Sequence, residues 1–154
     1  MSEQEVTLTR KATIHDLPGL WKLRQESILA LAPLGMTLAQ SEAWAANMTI
    51  QGMERRFHDA EIWVAESNDT ILGWIAFRGE YLDGLYIKPE FAGQGIGTEL
   101  LTLVERLMRE RGIKAMQLEA SLNAAQFYRR RGFEPTGSRS SDGAIPMSKE
   151  LSSG

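Results

Sequence analysis

The 154-residue chain contains no cysteine. That removes disulfides, thiolate metal ligands and a cysteine nucleophile together. Histidine is nearly as scarce: His15 and His58 are the only two, and each sits beside an aspartate at an element boundary. Two separated histidines do not make a metal site, so no metal is expected. Charge of either sign is not in excess, since 17 Lys+Arg against 20 Asp+Glu leave −3. Such a balance gives no general attraction for a phosphate backbone, and a nucleic-acid partner is not expected. No apolar run approaches the ~20 residues of a membrane span, so no membrane partner is expected. The Met1–Glu5 stretch is acidic and polar without the pattern of a secretory leader, which makes a cytoplasmic location the expectation.

What remains is a length that suits one compact domain, 1–154, with 43% hydrophobic and 24% charged residues. Val6 to Arg10 alternates apolar with polar residues and reads as a half-buried strand. Asp16-Leu17-Pro18 then opens a helix whose apolar positions include Leu17, Leu20, Trp21, Ile28 and Leu31. Thr37 to Phe57 reads as two short helices. From Glu61 the pattern becomes strand: Glu61–Ala65 and Ile71–Phe77 are joined by the turn signal Asn68-Asp69, and Tyr81–Ile87 follows. A strong amphipathic helix, Gly97–Arg111, precedes a strand at Lys114–Ala120, a short helix at Leu122–Arg131 and one or two final strands. The fold class is mixed α/β.

Glycine is only modestly over-represented, at 14 residues, but three of them fall within Gly93-Gln94-Gly95-Ile96-Gly97. The cluster follows a strand and opens a helix, where consecutive main-chain N–H groups form an anion site without basic side chains. A simple strand-to-helix turn is the plainer alternative. A Walker loop would need a lysine that is not there, and a dinucleotide fingerprint would need a third glycine one residue later.

The chain here resembles the GNAT superfamily, the Gcn5-related N-acetyltransferases. Leu85-Tyr86-Ile87-Lys88-Pro89 is similar to the family's strand end, and Gly95-x-Gly97 to its cofactor glycines. A second stretch, Ala124, Phe127, Tyr128, Gly132 and Phe133, matches its later helix motif. Two positions depart from the pattern. Ala92 stands where the family usually has Arg or Gln, which removes one contact near the pyrophosphate. Ser121 stands where many members have Asn, leaving Asn123 as the residue to reach the cofactor.

The resemblance implies a central twisted mixed sheet of about six to seven strands flanked by about four helices. It also implies acetyl-CoA as co-substrate and direct acetyl transfer to a small-molecule or peptide amine. Many members are dimers, so a homodimer is the matching expectation for assembly. Leu85, Tyr86, Ile87, Gly93, Gln94, Gly95, Ile96, Gly97, Thr98, Asn123, Phe127 and Tyr128 would hold the cofactor. A main-chain N–H around Tyr86 would stabilise the oxyanion, and Tyr128 would protonate the departing thiolate. Asp83, Glu119 and Glu80 are alternatives for the base, with a water chain as the fourth. Trp44 and Tyr81 would meet the acceptor. Arg129-Arg130-Arg131 reads as a solvated helix C-terminus, with the 3′-phosphate of CoA as the alternative contact.

Overall fold

The computed structural model describes residues 7–30, 37–46, 48–121, 124–139 and 143–151. Among these residues seven strands form one sheet: β1 (Leu8–Lys11), β2 (Glu61–Ser67), β3 (Thr70–Arg78), β4 (Tyr81–Ile87), β5 (Ala115–Ala120), β6 (Glu134–Pro135) and β7 (Ile145–Glu150). Their spatial order is β1-β2-β3-β4-β5-β7-β6, and every neighbouring pair is antiparallel except β4–β5. Among the described residues five α-helices accompany them: α1 (Leu17–Leu29), α2 (Leu38–Ala46), α3 (Ile50–Asp59), α4 (Ile96–Glu110) and α5 (Ala125–Arg129). The expected class and sheet are therefore present, with two strands in the tail. The short helix after β5 runs only from Ala125 to Arg129; Leu122 lies outside the described residues.

Local chemistry accounts for these elements. Asn68 and Asp69 both take left-handed backbone conformations, φ 51° and 63°, in a two-residue turn closing the β2–β3 hairpin. Thr49 caps α3 by accepting the Gly52 N–H at 3.0 Å. Each face of the sheet then buries its own cluster. Ile62, Val64, Trp74 and Ala76 pack with Leu17, Leu20, Leu23 and Met53 of α1 and α3. On the other face Ile75, Phe77, Leu82, Met116 and Leu118 pack with Leu100, Leu101, Val104 and Met108 of α4 and with Tyr128 of α5. Each such fully buried aliphatic side chain contributes about 1.5–3 kcal/mol.

Two irregularities shape the centre. Against β3, Ala76 pairs with Gly84 and Phe77 with Leu82, so Asp83 is an extra residue in β4, a β-bulge. Beyond it β4 and β5 part company: these parallel strands share one register pair, Tyr81 with Gln117, beside which the Gln117 N–H donates to the Glu80 carbonyl at 2.9 Å. The rest of β4 has an open edge.

Candidate active site

The open edge carries main-chain groups rather than side chains. Lys88 N–H donates to the Leu72 carbonyl of β3 at 2.8 Å. An antiparallel ladder alternates, so Tyr86 is also turned toward β3, while the N–H and C=O groups of Leu85 and Ile87 point into the gap beside β5. The N–H expected near Tyr86 is therefore offered by its neighbours. Tyr86 contributes its ring, which lies on the α1 side, 4.8 Å from Trp74 and under the Arg24 guanidinium at 5.6 Å. Gly84 makes room for it: a Cβ there would stand 2.7 Å from Tyr86 Cε2.

The glycine loop lies at the end of the same strand. Gly93 and Gly95 adopt φ of 80° and 85°, which L side chains rarely take. Gly95 is the N-cap of α4, and the helix's first bond runs from Glu99 N–H to the Gly95 carbonyl. Among the described residues no main-chain carbonyl accepts from the N–H groups of residues 93–98. Those donors, at the positive end of a 15-residue helix, fit a pyrophosphate. Gly97 serves packing instead, since a Cβ there would meet the Phe127 ring at 3.2 Å.

Phe127 and Tyr128 approach from α5. Tyr128 is buried, in edge contact with Phe127 and Phe133, and burial pushes its phenol above the usual range, with the Tyr86 hydroxyl adding to the effect. It keeps its proton at neutral pH and is chemically a donor. Arg131 departs from the solvated position expected of the arginine run. Its Nε donates to the Thr98 hydroxyl at 2.8 Å, its Nη1 to the Phe127 carbonyl at 2.8 Å, and it stacks on the Phe127 ring. Arg129 and Arg130 are exposed, as expected.

Two of the three base candidates, Asp83 and Glu119, lie on the α1/α3 side of the sheet, opposite the face on which Leu82 and Leu118 pack. Asp83 is clamped by Arg78, whose Nε and Nη2 donate to its two oxygens at 2.7 and 3.0 Å. Glu119 is exposed on β5, two residues past the register pair, and forms no ion pair among the described residues. Tyr81 stands between them; burial raises its phenol, and the charges of Glu119 and Asp83 raise it further. Glu80 is exposed and engaged through its carbonyl. Ala92 is exposed. Asn123 and the side chain of Trp44 lie outside the described residues.

Sequence reasoning passed over Arg24, Arg55, Arg56 and Arg78. Arg24 had a visible signal, because it falls four residues after Leu20 and four before Ile28 on the buried stripe of α1. It is only 4% exposed, and it donates to Gln25 Oε1 at 3.1 Å and weakly to the Ala45 carbonyl at 3.4 Å.

Comparison with known proteins places this geometry. A GCN5-related N-acetyltransferase from Rhodopseudomonas palustris superposes with a TM-score of 0.86 at 23% identity, covering 97% of this chain and 99% of that one. The PaiA N-acetyltransferase of Thermoplasma acidophilum, solved in complex with coenzyme A, gives 0.79 at 24% identity over 94% of this chain and 99% of that one. In sequence, the peptidyl-lysine N-acetyltransferase YjaB of Salmonella typhimurium is 35% identical over 80 residues, 51% of this chain. The chain spans 54% of that relative's length. The pattern of the acetyltransferase (GNAT) domain matches residues 23–151, and the chain belongs to that family.

Proposed function

We propose that this protein transfers an acetyl group from acetyl-CoA directly to a primary amine of a small molecule or peptide, with no acetyl-enzyme. The observation that carries the reading is the parting of β4 from β5 beside the unbonded N–H groups at the start of α4. One element offers an edge for an extended amide-bearing arm, and the other offers a seat for its diphosphate.

Acetyl-CoA, when bound, supplies a thioester whose C–S bond breaks as the C–N bond of the new amide forms. The protein's own groups do the rest. The acceptor amine arrives as ammonium: with a pKa near 10.4, about one molecule in 10³ is free at pH 7, a deficit of roughly 4–5 kcal/mol. Glu119 takes that proton, directly or through water, because Asp83 is already engaged on both oxygens by Arg78. A main-chain N–H of Leu85 or Ile87 holds the carbonyl oxygen of the thioester. Tyr128 gives its proton to the leaving sulfur, so CoA departs as the thiol, and the second proton, shed by nitrogen as the amide forms, returns to the phenol through water. Leu85, Ile87 and residues 93–98 hold the cofactor, and Tyr81 borders the acceptor.

Calorimetric titration with acetyl-CoA and with CoA tests the first half of this reading. Release of CoA thiol across an amine panel tests the second. Micromolar binding with turnover is expected. Binding without turnover on any amine would favour the alternative, a degenerate acyl-CoA-binding or regulatory module, for which Ala92 is the motivating residue.

A further inference from the structure

Asp83 belongs to two places at once. It is the bulge residue of β4 beside the open gap, and it lines a cavity of about 470 Å³ that runs along α3. That volume lies in the range of small-molecule sites. Thr49, Arg55, Arg56 and Asp59 come to the cavity from α3 and its cap, and Arg78 from the end of β3.

The lining carries three guanidinium groups against two carboxylates. Asp83 is neutralised by Arg78, whereas Arg55 and Arg56 form no ion pair among the described residues. Arg56 Nη1 is closed off from solvent and has no hydrogen-bond acceptor. A guanidinium N–H removed from water without an acceptor is an uncompensated desolvation, of a kind that folded proteins rarely keep. A carboxylate is the group whose paired oxygens match a guanidinium.

We propose that this cavity receives the carboxylate of the acceptor through Arg56, with Arg55 at the rim, so that the substrate is a small amino carboxylic acid. The proposal rests on the acetyl-transfer reading and narrows its acceptor. The amine of such a molecule lies toward Asp83 and the gap, and its anionic end toward α3. A lysine within a protein chain has no carboxylate to place there.

The test compares alanine, glutamate, phenylalanine and lysine with their carboxamides, following thiol release at saturating acetyl-CoA. At least one acid is expected to exceed its amide tenfold or more in kcat/KM. Arg56→Gln should erase that preference mainly through KM, while Arg56→Lys retains part of it. Calorimetry gives a readout without turnover: the preferred acid should bind the CoA-saturated protein, and Arg56→Gln should weaken it tenfold without changing CoA affinity. Equal use of acids and amides, turnover of peptide lysine alone, or an unchanged preference in Arg56→Gln would each overturn the proposal. CoA binding without turnover of any acid would overturn it too. Absence of acetyl-CoA binding would instead remove the reading beneath it, a result the calorimetry separates.

Discussion

Arg131 donates to the Thr98 hydroxyl while stacking 3.6 Å from the centroid of the Phe127 ring, tying the end of α5 to the first turn of α4. With its lone pairs occupied by a cation, the Thr98 hydroxyl is left to donate outward, toward the seat proposed for the pyrophosphate. The arrangement sets a fixed positive charge beside a loop whose own position 92 is alanine. Arg131→Gln is expected to weaken acetyl-CoA binding about tenfold by calorimetry, or ~1.4 kcal/mol. An unchanged affinity with a lowered Tm would make Arg131 a tie between helices and nothing more.

Glu119→Gln should lower kcat by about 10²-fold or more, the usual scale for a positioned base. Asp83→Asn should act differently, because it releases Arg78 rather than removing a free carboxylate. Steady-state kinetics of both variants on one acceptor decides between them. A large kcat loss in Asp83→Asn with Glu119→Gln near wild type would reverse the assignment.

For Tyr128→Phe, thiol release should fall about tenfold to a hundredfold while CoA affinity stays the same. The loss is smaller than for many catalytic acids because a thiol is itself a good leaving group. The phenol is shifted upward by burial, so its acid form persists above the ordinary tyrosine range. The pH–rate profile should therefore show no decline attributable to this group below about pH 10.

Gly84→Ala places a methyl group against the Tyr86 ring, where the contact of 2.7 Å is too short to stand. The ring must shift from its place against Trp74 and Arg24. Denaturant unfolding should register a loss of about 1–3 kcal/mol. Wild-type stability in this variant would mean that Tyr86 moves without consequence.

Arg10 links β1 to both Asp16 and Glu66, donating to Asp16 at 2.8 and 3.0 Å and to Glu66 at 2.9 Å. The Arg10 guanidinium holds the Asp16 carboxyl below its ordinary range, so the stabilisation is present at neutral pH and lost as pH falls through that lowered value. Arg10→Met should cost about 1 kcal/mol at pH 7, a fall of roughly 2–4 °C in Tm. The difference from wild type should shrink steadily below about pH 4.

Much of this architecture was readable in the residues, and the reasons are local. Tyr81–Ile87 was delimited as a strand because Gly79 and Pro89 punctuate it. The glycine cluster was readable because positive φ at Gly93 and Gly95 excludes most other residues. The bulge at Asp83 was not, since an extra residue changes pairing without changing the apolar pattern on either side. Nor was the turn-back of Arg131: an arginine after a helix looks the same in sequence whether it faces water or the next helix. The unpaired guanidiniums of α3 escaped for a similar reason, because a charge on an amphipathic helix reads as a solvated face until a cavity is seen beneath it.

The extra residue in β4 has a consequence for how such a cleft arises. Leu82 on one side of Asp83 and Leu85 on the other both pack on the α4 face, and Glu80 and Ile87 both present main-chain groups to the β5 side. Removing Asp83 would leave all of these alternations in phase. A single-codon deletion is thus expected to yield a folded protein whose β4 and β5 stay paired along their length, with the entrance zipped shut. On this view the difference between a plain sheet and one with a cofactor door is one inserted amino acid, and the reverse change, an insertion, is a route by which the door could have opened.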